Sequence, residues 1–417
     1  MVIAGIVIVV ATFIAIIKQF ETRLVLLLSG LLMCFIGGQI GAGTTAFVKE
    51  LTNPGLVPTI CTVLGFSYVM EYTKCTEHMV YFISAGLKKM TKIIIPGAVI
   101  ITFLINIALP TAAGCAAAVG ALLIPALIRA GVHPAMAGSA IFLGTWGSAL
   151  SPGLMFNPQV AQLAGEDVMT VIASFSMQAI IGIVVAAILL NIVAIVKKEH
   201  TGYVVKGSNA EEGKAFKVNY LYAIIPIIPL LLLVLGSKQV AVIPEISVPV
   251  SMLIGTAIGI IAVRPNVTEA VKKFFRGTGD GMCDVVGLMA AAAAFTAGMQ
   301  YIGLTSALID GMKNSQQIAQ IGAAFGPFLL AVISGSGNAA ALAFNGAGTP
   351  HAADFGYGIM QLGSMAQLGA GIGRSMSPVA GAGIIIAGLA GINPMEMAKR
   401  NAVPCIIATV VIMLLLL

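Results

Sequence analysis

Two stretches of this sequence decide how its apolar segments are organised: Gly373-Arg374-Ser375-Met376-Ser377-Pro378 and Gly147-Ser148-Ala149-Leu150-Ser151-Pro152-Gly153. Each stretch is a polar interruption, rich in small residues, in the middle of an apolar region. Proline removes a helical hydrogen bond and glycine weakens a helix, so both stretches predict a helix that is broken halfway. The unpaired backbone groups of a break need protein, ions, substrate or water around them, and a break at membrane depth therefore marks a cavity.

The composition requires a lipid-facing surface. Hydrophobic residues make up 59% of the 417 and charged residues only 9%, which leaves too little polar surface to cover a water-soluble globule of this size. The net charge of +6 does not indicate nucleic acid, because the basic residues lie in short clusters between apolar runs. The six cysteines show no C-x-x-C pair or zinc-like spacing, so no disulfide framework is indicated. The sequence predicts an all-α polytopic membrane protein.

The apolar runs are of three kinds. Eight are long enough to cross, or nearly cross, a bilayer as ordinary spans: 2–17, 24–40, 55–71, 168–196, 221–236, 249–263, 282–303 and 402–417. Two regions, 93–128 and 318–350, each contain two short apolar arms joined at a tip of mainly small residues, Pro110–Gly114 and Ser334–Asn338. Such arms are too short for full crossings, so these regions predict re-entrant hairpins. The two broken helices occupy 134–165 and 352–392.

The distribution of lysine and arginine orients this map. Ordinary and broken spans change sides, whereas a hairpin returns to its own side, and on that reading 18 of the 22 basic residues fall on one side. Lys49, Lys238 and Lys313 fall on the other, and Arg374 lies within the membrane. The positive-inside rule makes the crowded side cytoplasmic. Both termini are therefore predicted to lie outside a bacterial-type inner membrane.

A shift of 226 residues relates the two halves of the chain. It pairs small residues and prolines without a gap: Gly55 with Gly281, Gly147 with Gly373, and Ser151-Pro152 with Ser377-Pro378. The first span of each half starts on the opposite side of the membrane, which predicts two inverted repeats, 1–196 and 221–417, joined by a cytoplasmic linker, 197–220. Inverted repeats with a site at their interface are typical of alternating-access carriers.

The hairpin tips and helix breaks carry the candidate substrate-binding residues. Half-helix N-termini at these points expose N–H groups and the positive end of the helix dipole, which favour an anion. Hydroxyl and amide groups suited to carboxylate oxygens lie at the same points: Thr111, Ser148, Ser151, Ser336, Asn338, Ser375 and Ser377. Small residues can also serve only to let helices pack closely, but four clusters in symmetric positions favour a binding site.

Arg374 is the sharpest single signal in the sequence. An arginine at the centre of a spanning segment costs on the order of 3 kcal/mol or more unless it is paired or hydrated. Its planar guanidinium matches a carboxylate, so a bound substrate is one candidate partner. The alternatives are a permanent ion pair with Asp354, Asp284 or Glu71, or capping of half-helix carbonyl groups.

Other ionisable residues give weaker signals. His133 and His351 lie beside prolines, where a histidine more often marks a helix end than a proton carrier, and Asp280 and Asp284 suit a helix N-terminus better than a cation site. No H-E-x-x-H, G-x-S-x-G or Walker lysine motif occurs, so the chain is not predicted to be an enzyme or to use a cofactor. A coupling ion would be sodium or a proton, and metal binding is left open.

The C-terminal half resembles the DcuC family of anaerobic four-carbon dicarboxylate carriers, within the wider ion transporter superfamily. The resemblance rests on the tip Ser334 to Ala339, the run from Leu368 through Arg374 to Val379, and Ile392-Asn393-Pro394-Met395-Glu396 followed by Lys399-Arg400. It continues more loosely through Pro152, Gln162 and the span after Val168. The tip Pro110–Gly114 and the glycine-rich stretch 344–348 depart from the family pattern.

The resemblance implies a homodimeric carrier of succinate, fumarate or malate that works by exchange, uptake or efflux. It also implies an elevator motion, with a scaffold domain and a transport domain. Because of the two departures, a gluconate-like, citrate-like or amino-acid-derived anion remains an alternative substrate. A channel could use a similar polar cavity and is the main alternative of another class.

Overall fold

The computed structural model describes residues 1–18, 20–84, 93–203, 217–238, 240–307 and 316–417. Within these ranges the chain is helical and contains no β-strand, which confirms the predicted all-α class. Five helices are long and apolar enough to cross a membrane: Ala112–Arg129, Val168–Val196, Val267–Tyr301, Gln317–Ser334 and Pro394–Leu416. Several shorter apolar helices accompany them, as expected of a polytopic membrane protein.

Twenty α-helices are distinguished in the described ranges. Those of the first half are α1 Val2–Ile17, α2 Thr22–Ile36, α3 Ile40–Leu51, α4 Val57–Tyr72, α5 Cys75–Ser84, α6 Ile94–Ala108, α7 Ala112–Arg129, α8 Pro134–Gly144, α9 Phe156–Ala164 and α10 Val168–Val196. Those of the second half are α11 Tyr220–Ile224, α12 Ile228–Leu235, α13 Val248–Val263, α14 Val267–Asp280, α15 Gly287–Tyr301, α16 Gln316–Ser334, α17 Gly337–Ala347, α18 Ile359–Arg374, α19 Gly381–Ala390 and α20 Pro394–Leu416.

The helix ends agree with the predicted tips and breaks, but not every hairpin arm is short. Helices α7 and α16 are long enough to cross a membrane, so the prediction that the arms are too short for full crossings is wrong for these two, and the re-entrant path stays a prediction. Helices α6 and α7 meet across residues 109–111, and α16 and α17 across 335–336; these are hairpin 1 and hairpin 2. The broken helices are α8 with α9, separated by 145–155, and α18 with α19, separated by 375–380. The linker prediction 197–220 is described only in part, because 204–216 lie outside the described residues.

Three helices lie where the sequence predicted connections: α3, α5 and α14. Helix α14 is amphipathic, with Ala270, Phe274 and Gly277 buried at helical spacing, and Lys272, Lys273 and Arg276 exposed. A π-helical turn, Gly281–Val286, joins it to α15 in one continuous helix. The charged face of α14 lowers the mean hydropathy of this helix, so α14 does not appear in the sequence as an apolar run.

The helices pack in two groups, each drawing on both halves of the chain. In the first helical group, α1–α5 with α11–α15, helix α15 packs on α2 and α3, and α4 packs on α13 and α14. In the second helical group, α6–α10 with α16–α20, helix α16 packs on α18, α10 on α20, α6 on α8 and α7 on α19. The groups meet where α15 packs against α17 of hairpin 2.

One close contact recurs in both halves of the second helical group. A Cβ on Gly147 would overlap the carbonyl oxygen of Phe103 on α6, and a Cβ on Gly373 would overlap that of Phe328 on α16. Only glycine lets each break lie this close to the first arm of the preceding hairpin. The predicted shift of 226 residues relates Gly147 to Gly373, and it relates Phe103 to Phe328 to within one residue. The inverted orientation of the repeats stays a prediction.

Candidate functional site

The tip of hairpin 2 lies directly on the second helix break. Gly335 has φ +73°, and a Cβ at this position would come within 2.8 Å of the Val379 carbonyl oxygen. A Cβ on Gly337 would lie 3.5 Å from Cβ of Arg374. The structure therefore brings together residues that the sequence separates by nearly forty positions, namely the 335–338 tip and Arg374.

Arg374 reaches from the second break to the first. Its Nη2 donates a hydrogen bond of 2.7 Å to the carbonyl oxygen of Thr145, just after α8 ends. A guanidinium at this position stabilises the negative end of the α8 dipole. The carbonyl-capping alternative is thus present, and it occupies only part of the guanidinium, since the buried Nε has no hydrogen-bond partner in the described ranges.

The permanent carboxylate partners considered for Arg374 lie elsewhere. Asp284 pairs with Arg23 at 3.2 Å, and Asp354 lies 3.5 Å from His351. Glu71 is exposed to solvent or lipid at the end of α4. No carboxylate of the described part of the chain lies within ion-pair distance of Arg374. An anionic ligand would therefore meet an arginine with free donor capacity.

Hairpin 1 contributes a second helix N-terminus near the guanidinium. The tip of hairpin 1 lies beside the first break, because Pro110 lines the same small cavity as Ser151 and Pro152, and Arg374 contacts the start of that break at Thr145. Thr111 is the N-cap residue of α7, but its side chain makes no capping hydrogen bond. The first N–H groups of α7 thus remain available, which is the usual arrangement for anion binding at a helix N-terminus.

The predicted polar residues differ in what their side chains already do. Four are engaged in local hydrogen bonds: Ser151 with Gly153 N, Ser336 with Ala339 N, Ser375 with Gly371 O and Ser377 with Val379 N. For Thr111, Ser148 and Asn338, no side-chain hydrogen bond joins them to another described residue. Thr111 and Asn338 are partly exposed, and Asn338 directly follows Gly337, which lies against Arg374, so its amide is the candidate of the three to meet a ligand next to the arginine.

Buried amide side chains that were not among the predicted site residues stabilise the first break. Asn157 Nδ2 donates to the carbonyl oxygens of Ala149 and Ser151, both at 2.8 Å. Gln367 Nε2 in turn donates to Asn157 Oδ1 at 2.9 Å. Asn106 Oδ1 accepts from the backbone N–H of Ser148 at 2.7 Å. These bonds replace the helical ones that the break removes.

Asn401 serves the second break in the same way. Its Nδ2 donates to the carbonyl oxygen of Ser375 at 2.8 Å, and more weakly to that of Ser139 at 3.3 Å. The sequence feature that could have indicated these residues is an asparagine or glutamine inside an apolar run, because an amide in such a run usually makes a hydrogen bond to a neighbouring helix. We expect Asn106, Asn157 and Asn401 to position the breaks rather than contact substrate.

The space around the breaks is small, and a larger cavity lies between the two helical groups. A cavity of about 20 Å³ separates Pro110, Ser151 and Pro152 from helices α4 and α12, which is room for about one water molecule. A cavity of about 380 Å³ is lined by Gln162 and Asp167 of the second helical group and by Thr59 and Glu245 of the first.

Polar contacts tie the two helical groups together at this larger cavity. Asn53 Nδ2 donates to Gln162 Oε1 at 2.9 Å, and Lys238 Nζ lies 2.9 Å from Asp167 Oδ2. Burial alone would raise the pKa of the Asp167 carboxyl, but hydrogen bonds from Thr170 and Lys238 outweigh burial and lower it. All these residues lie near the side that the charge distribution assigns to the outside.

Comparison with known proteins identifies the family of this chain. The model of the DcuC family, described as C4-dicarboxylate anaerobic carriers, matches residues 2–417. Two uncharacterized transporters of Haemophilus influenzae are similar: one is 37% identical over 278 residues, covering 64% of this chain and all of that protein. The other is 49% identical over 130 residues, covering 31% of this chain and 90% of that protein.

A relative that matches the full length is also known. The anaerobic C4-dicarboxylate transporter DcuC of Escherichia coli K12 is 26% identical over 444 residues, covering 98% of this chain and 94% of that protein. The predictions of a membrane transporter and of a chain that is not an enzyme are thereby confirmed. Because the family model spans the chain from residue 2 to residue 417, this protein belongs to the DcuC family.

Proposed function

We propose that this protein is a secondary transporter of four-carbon dicarboxylates such as succinate, fumarate and malate, working by alternating access. The observation that carries the proposal is Arg374, whose guanidinium has free donor capacity and no carboxylate partner within the described residues. It lies beside the tip of hairpin 2 and contacts the first break, next to which the tip of hairpin 1 also lies. One substrate carboxylate would bind the arginine, and the Asn338 amide with the free α7 N–H groups would bind the other.

The movement proposed for this transport is of elevator type, in a homodimer in the bacterial inner membrane with both termini outside. The second helical group, which contains both hairpins and both breaks, would act as the transport domain, and the first as the scaffold. The division of the helices into two packing groups supports this assignment. Exchange, or coupling to sodium or a proton, is compatible with it.

Uptake by proteoliposomes tests the function. Vesicles containing the purified protein should accumulate labelled succinate with saturable kinetics and show counterflow against unlabelled fumarate or malate, with sodium, pH and membrane potential imposed separately. Flux that neither saturates nor shows counterflow would support a channel instead. Preferential uptake of gluconate, citrate or an amino-acid-derived anion would overturn the substrate assignment while leaving the carrier mechanism intact.

We expect Asn338→Ala to weaken dicarboxylate binding without changing stability. Its amide makes no hydrogen bond to a described residue, so its loss removes only contacts to the ligand. A hydrogen bond to a charged group is worth about 1.5–3 kcal/mol, or roughly tenfold to a hundredfold in affinity. Calorimetric titration with succinate and thermal unfolding would measure the two effects.

Ser336→Ala is the matched comparison at the same tip. The Ser336 hydroxyl caps α17 through Ala339 N at 3.2 Å, so this change should destabilise the protein by about 0.5–2 kcal/mol. Asn338→Ala with unchanged succinate affinity would show that the tip only packs against the second break.

The predicted orientation can be checked by cysteine labelling. In a background in which the exposed Cys283 is replaced by serine, Lys198→Cys should react with a membrane-impermeant maleimide only from the cytoplasm. Val242→Cys, exposed in the loop after α12, should react only from outside. Labelling of both positions from one face would refute the inverted-repeat topology. Lys49, Lys238 and Lys313 are the three basic residues assigned to the external side of the membrane. Of these, Lys313 is not among the described residues.

Movement of one helical group against the other predicts substrate-dependent exposure of Gln162. Breaking the Asn53–Gln162 contact would change the surroundings of a thiol at 162. The labelling rate of Gln162→Cys should therefore depend on added succinate, whereas that of Val242→Cys should not, because Val242 belongs to the first group alone. Identical succinate dependence of both rates would argue against relative movement.

A further inference from the structure

An apolar cavity of about 210 Å³ lies between the two helical groups, on the side of hairpin 2 away from the breaks. Helices α1 and α15 form one wall, and α16 and α17 form the other. Its side-chain lining is almost entirely apolar and aromatic: Val9, Phe13, Phe295, Met299, Pro327, Leu330, Ala343, Phe344, Ala347 and Phe355. The one polar side chain is Thr305, whose buried Oγ1 has no hydrogen-bond partner in the described ranges.

The cavity continues toward the tip of hairpin 2. A second, smaller cavity of about 20 Å³ shares Phe13, Leu330 and Ala343 with it and ends at Ser334 and Ala339. We call the two cavities together the hairpin groove. The groove follows hairpin 2 from the residues after α17 to the tip that carries Asn338.

Water is a poor occupant of this space. A buried water needs two to four polar partners, and the side chains that line the cavity of about 210 Å³ offer only Thr305. An apolar cavity of about 150 Å³ in a soluble protein stays dry and takes up benzene. The cavity beside hairpin 2, at about 210 Å³, exceeds that volume. If it were left empty, its walls would also lose dispersion contacts.

The surrounding lipid supplies a suitable occupant. This chain is a membrane transporter, and two of the four helices that border the groove also carry large exposed apolar side chains, Val10 and Ile14 on α1 and Leu329 and Ile333 on α16. In a membrane protein, exposed apolar side chains of this kind are suited to contact with the acyl chains of the bilayer. An acyl chain that enters from this surface would replace lipid contacts by protein contacts and would desolvate no polar group.

We propose that one acyl chain of a bilayer phospholipid occupies the hairpin groove, between hairpin 2 and helices α1 and α15. The chain then fills the interface across which the two helical groups meet. Any displacement of hairpin 2 from α1 or α15 requires the chain to move as well. The bilayer is thereby coupled to the position of the Asn338 tip, whatever substrate the tip binds.

Quenching of tryptophan fluorescence by brominated acyl chains tests this site. The protein has a single tryptophan, Trp146, which is 1% exposed and packs against Phe103 with ring centroids 4.8 Å apart. In a Trp146→Phe background, Phe295→Trp places the indole in the groove at a position that is itself only 1% exposed. Leu329→Trp, at a position 54% exposed, is the lipid-facing control.

Each variant is reconstituted in phosphatidylcholine vesicles with and without brominated chains, and no detergent is present. We expect little quenching of native Trp146, strong quenching of Leu329→Trp, and comparably strong quenching of the buried Phe295→Trp. Adding Ala343→Phe, which fills the groove with a side chain, should abolish quenching of Phe295→Trp and leave that of Leu329→Trp unchanged.

Two results would overturn the proposal. If Phe295→Trp is quenched no more than Trp146, no acyl chain enters the groove. If its quenching survives Ala343→Phe, the contact with lipid lies elsewhere. Should Phe295→Trp fail to fold, Met299→Trp, also buried in the lining, takes its place. Because fluorescence is read without substrate, the outcome is independent of the proposed transport activity.

Discussion

Arg374→Lys should lose roughly tenfold to a hundredfold in dicarboxylate affinity while the protein keeps its stability. The substitution keeps the positive charge and can keep one hydrogen bond to the Thr145 carbonyl oxygen. An ammonium cannot reproduce the planar, two-pronged contact of a guanidinium with a carboxylate. The lost charge-assisted hydrogen bond is worth about 1.5–3 kcal/mol, which sets the expected range.

Stability distinguishes this reading from a structural role. No described carboxylate pairs with Arg374, so neither Arg374→Lys nor Arg374→Gln strands a buried negative charge. Calorimetry with succinate and thermal unfolding of both variants give the two quantities. Retained succinate affinity in both variants would end the assignment of Arg374 to substrate. Strong destabilisation relieved by neutralising Asp354, Asp284 or Glu71 would instead establish a permanent pair.

The positions of the helix breaks could be predicted from the sequence because glycine, proline and serine act locally. Ser151-Pro152 and Ser377-Pro378 lie inside the two breaks, where a proline cannot supply a helical hydrogen bond. A local property also marks the hairpin tip at Gly335, whose positive φ suits glycine. The eight ordinary spans followed from the length of apolar runs. Five of them, 2–17, 24–40, 55–71, 168–196 and 249–263, each correspond to one helix that begins and ends within about four residues of the predicted bounds. The other three differ: 221–236 is divided between α11 and α12, 282–303 continues back into α14, and 402–417 belongs to a helix that begins at Pro394.

The surroundings of the breaks could not be predicted, because they depend on residues far apart in the chain. Asn157 and Gln367 are separated by 210 positions, and Asn401 contacts Ser139 across 262. Neither pair has a sequence signature beyond an amide in an apolar run. Capping of half-helix carbonyl groups was one of the alternatives predicted for Arg374, but no residue pattern specifies that the carbonyl group is that of Thr145. Helix α14 was not predicted, because its charged residues alternate with the buried ones and no continuous apolar run marks the helix.

Arg400→Met should destabilise the protein strongly while leaving succinate affinity nearly unchanged, the opposite of the pattern expected at Arg374. The Arg400 side chain is 5% exposed and binds both carboxylate oxygens of Glu199, at 2.7 and 2.5 Å. It also binds Glu396 at 2.8 Å. These contacts join the start of α20 to the chain that follows α10. With the bond from Nη1 to the Glu396 carbonyl oxygen, four of the five N–H donors of Arg400 are engaged, so little donor capacity is left for a ligand.

The expected size of the effect follows from the charge that the substitution leaves behind. Removing one partner of a buried ion pair typically costs about 3–5 kcal/mol, because the remaining charge is uncompensated. Glu199, with a side chain 14% exposed, would be that charge. Thermal unfolding should therefore show a large loss for Arg400→Met, and the double variant Arg400→Met, Glu199→Gln should recover much of it. Equal stability of the single and double variants would show that the Glu199 charge is already solvated, and a selective loss of succinate affinity in Arg400→Met would assign this arginine to the transport pathway.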